Sequence, residues 1–275
     1  MAITYTETKT LANGVQMPRF GLGVYKMTDS QKTIEAIQYA LQNGYRAVDT
    51  AAIYENESET GEAIRASGIP REEIFITSKV WNTDQGYDQT LRAFETSLKK
   101  LKLDYLDLYL THWPVSGTFV DTYRAIERLY EEKLIRVPGV SNHHIHHLEK
   151  LSVTANIAPM VNQVELHPLL TQVPLRGYCE EHSIAVTSWS PLARGKLLDN
   201  PILTEIGRAH HKTAAQVIIR WHLQSDLIVI PKSITPERIL ENSQIGDFVL
   251  TDEEMKMIDA LNRNERTGTD PDTIG

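Results

Sequence analysis

Asp49, Tyr54, Lys79 and His112 occur in the runs GYRAVDTAAIY, EEIFITSKVW and LDYLDLYLTHWP, each just beyond a short apolar stretch that reads as a β-strand. A carboxylate, a phenol, an ammonium and an imidazole form a set that can deliver a proton to a carbonyl oxygen. An unperturbed tyrosine has a pKa of ~10, too high for easy proton exchange near neutrality, and a neighbouring ammonium lowers it by stabilising the phenolate. In this reading Lys79 supplies that field and Asp49 keeps the lysine charged and in place. His112 donates a hydrogen bond that orients the substrate oxygen. The chemistry indicated is carbonyl reduction, although each residue alone has a structural explanation: Asp49 and Lys79 as a buried ion pair, Tyr54 as a packed loop tyrosine.

Chemistry at the ends of parallel strands is what a (β/α)8 barrel offers. The chain has that rhythm. It opens with two extended runs, ITYTETKTL and VQMPRFGLG, separated by Asn13-Gly14, a hairpin signal that would plug one end of a barrel. Counting MPRFGLG as the first barrel strand, RAVDT, EIFITSK, YLDLYLTH, LIRVPGV, MVNQVEL, IAVTSWS and LIVIPKS bring the total to eight. Helical segments alternate with them: ESETGEAIRASG, YDQTLRAFETSLKKL, FVDTYRAIERLYEEK, HHIHHLEKLS, VPLRGYCEEHS, TAAQVIIRWHLQ and PERILENS, with extra helices expected near the C-terminus. Leu91, Phe94, Leu98 and Leu101 recur at helical spacing and predict one buried face. In IERLYEEK the charged residues are expected on the solvated face.

The 275 residues are close to the ~250 typical of such a barrel, and no linker or repeat divides residues 1–275, so one domain is expected. Twenty-eight basic against thirty-six acidic residues give a net charge of −8, with no basic block to attract nucleic acid or anionic lipid. Cys179 is the only cysteine, no apolar stretch approaches the ~18 residues of a membrane span, and MAITYTETKTLANG lacks the pattern of a secretory signal. A cytoplasmic monomer acting on a small molecule is the expectation.

The motifs resemble those of the aldo-keto reductase family over essentially the whole chain. GYRAVDTAAIYENE is similar to the family's first signature, with Asp49 and Tyr54 at its catalytic positions. ITSKVW carries the matching lysine as Lys79, THWP the matching histidine as His112, and IPKS resembles the cofactor signature. SKVWNTDQGY, PMVNQVELHPLL and LNRNERTGTDPD look most like the short bacterial and protozoan members, which include diketogluconate and glyoxal or methylglyoxal reductases.

A nicotinamide cofactor is thereby implied, although no GxGxxG follows any strand and the GLG at Gly21 to Gly23 is too weak for a Rossmann site. The resemblance places cofactor contacts in GVSN, VNQVE, SWSPLARGK and IPKSITPERILEN. Ser141, Asn142 and Gln163 match the carboxamide contacts, Trp189 matches the ring that stacks on the nicotinamide, and Ser190 and Leu192 follow it. Ser141-Asn142 also reads as a helix N-cap. Lys232, Ser233, Arg238 and Asn242 match the 2′-phosphate and adenine contacts, with Glu241 as a further adenine contact, which favours NADPH over NADH. Tyr25, Trp81 and Trp113 match substrate-pocket positions.

The C-terminal segment after LNRNERTG is short, which implies an open site suited to aldehydes, α-dicarbonyls or sugar-derived keto acids. Oxidation of alcohols by the same residues, and a cofactor-binding redox sensor, stay open as alternatives. Pro138, Thr60 and Leu134 depart from the family pattern. Pro138 is expected to disturb strand pairing before Ser141 and Asn142, Thr60 to affect packing only, and Leu134 to be a surface change. His143 and His147 form an i, i+4 pair in the HHIHH run, but no third ligand of suitable spacing is evident in sequence, and no metal is expected in the reaction.

Overall fold

The computed structural model describes residues 6–274. The hairpin comes first, with β1 (Thr8–Thr10) antiparallel to β2 (Gln16–Pro18). Gly14 in its turn takes φ 82°, a left-handed angle that costs glycine nothing because it has no Cβ. Residues 3–5 of the expected first arm lie outside the described residues. Leu11 and Met17 are buried together with Val137, Val161, Ala185 and Ile228, so the hairpin seals the end of the barrel where the strands begin.

Eight parallel strands follow in chain order: β3 (Leu22–Gly23), β4 (Ala47–Asp49), β5 (Phe75–Val80), β6 (Leu106–Thr111), β7 (Ile135–Ser141), β8 (Val161–Glu165), β9 (Ala185–Trp189) and β10 (Ile228–Val229). The two ends of the sheet meet. The Gly21 amide donates to the Val229 carbonyl at 3.0 Å, the Val229 amide to Arg19 at 2.9 Å, and the Gly23 amide to Pro231 at 3.1 Å, which closes the (β/α)8 barrel. The first and last strands are short because these three bonds make the join instead of a long ladder.

Helices cover the outside: α1 (Ser30–Gln42), α2 (Glu57–Ala66), α3 (Tyr87–Leu101), α4 (Phe119–Glu131), α5 (Ile145–Thr154) and α6 (Val173–Glu181), then α7 (Pro201–His210), α8 (Ala214–Gln224), α9 (Pro236–Ser243) and α10 (Asp252–Asp259). The bounds of α3 and α9 are those the sequence predicts, and Phe94 and Leu101 are buried as expected. By contrast, α1 escapes the sequence reading. Its Asp29 cap accepts from the Lys32 amide and its buried face is Thr33, Ala36, Ile37, Ala40 and Leu41. Two alanines and a threonine dilute the apolar stripe that would announce a helix.

Three expectations are corrected here. Glu127 of α4 is buried, and its carboxylate accepts from the Ile157 amide at 2.7 Å, so it holds the loop before β8 instead of facing solvent. Leu134 is half-buried against the core and is not a surface change. Pro138 sits inside β7 opposite Tyr109, yet the strand runs unbroken to Ser141 because its carbonyl still accepts from the Met160 amide at 3.0 Å. Thr60 does act through packing: its hydroxyl donates to the Asn56 carbonyl, beside Gly61, where a Cβ would lie 2.0 Å from the Leu101 carbonyl oxygen. That contact lets α2 lie directly on the end of α3.

Candidate active site

Asp49 ends β4, Lys79 lies one residue from the end of β5, and His112 follows β6. Tyr54 closes the short 3-10 turn Ala52–Tyr54 after β4. Parallel register pairs Asp49 with Thr77, so Lys79 projects one pleat above the carboxylate and turns back to it. Lys79 Nζ donates to Asp49 Oδ1 at 2.6 Å, to the Thr50 carbonyl at 2.8 Å and to Tyr54 Oη at 3.4 Å. The ammonium has three donors and three acceptors, which makes its burial tolerable. The other carboxylate oxygen is also satisfied: Gln163 Nε2 donates to Asp49 Oδ2 at 2.7 Å across the barrel.

Burial works against the charge on Lys79 and lowers its pKa, while the contacts with Asp49 oppose that shift. Tyr54 departs from the sequence expectation. Burial, then Asp49, then Tyr25 push its phenol well above the ordinary tyrosine value, so the free site holds it protonated. His112 is pushed well below the ordinary histidine value, by burial and then by the charge on Lys79, and is a neutral imidazole at pH 7. Its ring meets Tyr54 edge-on at 5.8 Å and Trp81 at 5.1 Å, and its Nδ1 is buried with no protein partner.

These groups open onto a cavity of about 340 Å³. Tyr25, Trp81 and Trp113 line it beside Tyr54 and His112. Ser141, Asn142, Gln163, Trp189, Ser190 and Lys232 line the same space. They are tied to one another: Ser141 Oγ donates to the Gln163 carbonyl at 2.7 Å, Asn142 Nδ2 to the His112 carbonyl at 2.9 Å, and Trp189 Nε1 to Asn142 Oδ1 at 2.8 Å. Asn142 takes φ 62° and does not cap a helix; His144 is the cap of α5. Leu192, Ser233, Arg238, Glu241 and Asn242 are not in the cavity wall. Leu192 is half-buried against the core, Ser233 Oγ accepts from the Thr235 amide, and Glu241 accepts from Thr213. Arg238 is exposed and Asn242 buried on α9.

Sequence reasoning missed one wall. Gly268, Thr269 and Ile274 line the cavity, so the C-terminal segment closes a side that was expected to be open. Glu165, at the end of β8, fastens it by accepting from the Thr267 amide at 2.6 Å and the Gly268 amide at 3.1 Å. Burial raises the Glu165 pKa, but hydrogen bonds from His167, Thr267 and Gly268 outweigh it and leave the carboxyl at about 2. A Cβ on Gly268 would lie 2.5 Å from the Trp189 ring, so only glycine lets this segment close over the indole. The available signal was a second carboxylate at a strand end, in VNQVE.

The histidine run also differs from expectation. His143 is fully buried, its Nδ1 2.9 Å from the Ser141 carbonyl oxygen and its ring edge-on to Phe119 and, at 5.7 Å, to His147, so the pair does not face solvent.

The site is thus a polar and aromatic cavity at the strand ends of a closed barrel. The chain belongs to the aldo/keto reductase family, whose model matches residues 19–263. It is 55% identical to a glyoxal reductase of Bacillus subtilis (strain 168) over 274 residues, covering 100% of this chain and 99% of that one. It is 49% identical to the methylglyoxal reductase DkgA of Yersinia pestis, covering 96% of each. The crystal structure of a Gox0644 mutant in complex with NADPH superimposes with a TM-score of 0.93 at 41% identity, covering 98% of each chain.

Proposed function

We propose that this protein is an NADPH-dependent reductase of small aldehydes and α-dicarbonyls, with Tyr54 as the proton donor. The observation that carries the reading is the position of Lys79 Nζ, 2.6 Å from Asp49 and 3.4 Å from Tyr54 Oη, beneath a cavity that the nicotinamide-type residues also line. The donor set fits the cofactor: Ser141 and Gln163 offer buried polar groups and Trp189 a flat indole to the same space. The NADPH complex of a relative supports this choice, as do the names glyoxal and methylglyoxal reductase. Lys232, Ser233, Arg238 and Asn242 are assigned to the 2′-phosphate and adenine end, with Glu241 beside them.

When bound, NADPH supplies the hydride that the carbonyl carbon receives. Tyr54 Oη then gives its proton to the carbonyl oxygen, and the product is an alcohol. The raised pKa of the free phenol keeps that proton in place until the oxygen gains negative charge. Lys79, at 3.4 Å, faces the phenolate that is left, so its field acts most strongly when charge has developed there. His112, uncharged, orients the substrate oxygen without competing as an acid. Tyr25, Trp81 and Trp113 exclude water from the reacting carbonyl.

The test follows NADPH consumption with glyoxal, methylglyoxal, a sugar-derived diketo acid and a steroid ketone, and NADP+ reduction with the matching alcohols. Fast turnover of the small dicarbonyls, with little from the steroid, is expected. No turnover with any carbonyl or alcohol would contradict the assignment.

A further inference from the structure

We propose that His144, His146, His147 and Asp272 form a binding site for a divalent transition-metal ion of the zinc type, outside the reaction centre. His144 caps α5, His146 and His147 lie in its first turn, and Asp272 lies in the 3-10 turn Pro271–Thr273 near the C-terminus. Among the described residues this is the one such cluster in which one ligand atom from each member lies within 4.8 Å of every other. The fold brings in Asp272 from 128 residues beyond His144, which no local spacing in HHIHH reveals.

The distances match a small coordination sphere. Asp272 Oδ1 lies 2.9 Å from His144 Nδ1, 3.3 Å from His146 Nε2 and 3.9 Å from His147 Nε2. Four ligands around zinc, with bonds of about 2.0 to 2.1 Å, are separated by about 3.3 Å along each edge of the tetrahedron. Each of these three separations therefore needs a shift of well under 1 Å, and the histidine nitrogens lie within 4.8 Å of one another. Three imidazoles and a carboxylate select zinc, nickel or copper over calcium or magnesium, which prefer all-oxygen shells. The site is open to an entering ion, because His146 and Asp272 are both more than half exposed.

Binding rearranges the hydrogen bonds around the cluster: metal on His144 Nδ1 ends its bond to Asp272 and its acceptance of the His147 amide in the cap of α5. Coordination through His147 Nε2 places the ring proton on Nδ1, where the His144 amide now donates at 3.1 Å, so that bond is given up. Arg266, 2.8 Å from His144 Nε2, must likewise move to let that nitrogen carry a proton. These losses make the expected affinity lower than that of a rigid structural zinc site. The ion would cross-link α5 to the same C-terminal segment that supplies Gly268, Thr269 and Ile274 to the cavity.

The experiment is a calorimetric titration of the full chain with zinc chloride, repeated with His146→Gln and Asp272→Asn, and with His182→Gln, just past the end of α6, as a control. Cobalt absorption reads the geometry. One equivalent of zinc is expected, weakened at least tenfold in each of the first two variants and unchanged in the third, with intense tetrahedral cobalt bands in the wild type. Both substituted side chains are exposed, so folding is preserved. No saturable binding at micromolar zinc, or equal binding by wild type and Asp272→Asn, would overturn the proposal.

Discussion

Gln163 Nε2 donates to Asp49 Oδ2 at 2.7 Å, which ties a residue assigned to the cofactor directly to the carboxylate that holds Lys79. With the bond from Asn142 Nδ2 to the His112 carbonyl, it is one of two hydrogen bonds between residues assigned to the cofactor and residues assigned to proton transfer. Both oxygens of a buried carboxylate are consumed, one by each partner.

Gln163→Met removes that link and leaves Asp49 Oδ2 buried without its donor, at a cost of about 1–3 kcal/mol in folding stability. NADPH binding is expected to weaken roughly tenfold, about 1.4 kcal/mol, and kcat is expected to fall with it. Cofactor titration by fluorescence, set beside steady-state kinetics, checks both. A loss of cofactor affinity with kcat unchanged would show that the link to Asp49 carries no catalytic weight.

Arg238→Ala separates the two cofactors. Arg238 is exposed on α9 and Lys232 reaches the cavity wall, so a 2′-phosphate would meet charge at the start of that helix. The KM for NADPH should rise at least tenfold while that for NADH stays within about twofold, a difference of ~1.4 kcal/mol or more. Equal changes would sink the assignment.

His222 makes stability depend on pH in mildly acidic solution. It is fully buried, with Nε2 3.0 Å from Ser188 Oγ, and burial outweighs its contacts with the Ile218 and Leu166 carbonyls to bring its pKa down to about 4. The unfolded chain, with an ordinary pKa of ~6.5, binds the proton first as pH falls. The contribution is therefore fully present above pH ~6.5 and is lost as pH falls toward about 4, on the order of 3 kcal/mol in all. Urea midpoints at pH 7 and pH 4.5 should converge in His222→Gln relative to wild type; an unchanged pH dependence would contradict this.

The four strand-end residues were legible because each lies where a short apolar run stops, and a parallel barrel gathers such positions at one end. The ion pair of Asp49 with Lys79 followed from that placement, whereas Tyr25, Trp81 and Trp113 were named only through the family resemblance. What stayed hidden depends on distant parts of the chain. Gly268 reaches Trp189 only because Glu165 holds two amides of the C-terminal segment, and Asp272 meets the histidines only once that segment is fastened. The sign of the Tyr54 shift was hidden for another reason: a charge partner can be named from sequence, whereas the depth of burial that outweighs it cannot.

The central claim is that Tyr54 delivers the proton. Tyr54→Phe keeps the ring against Tyr25 and His112 and removes only the hydroxyl beside Lys79. The decisive measurement is kcat for methylglyoxal reduction together with the Kd for NADPH. The expected result is a kcat reduced by roughly 10²–10⁴ with NADPH affinity within about twofold of wild type. A kcat within tenfold of wild type would contradict it.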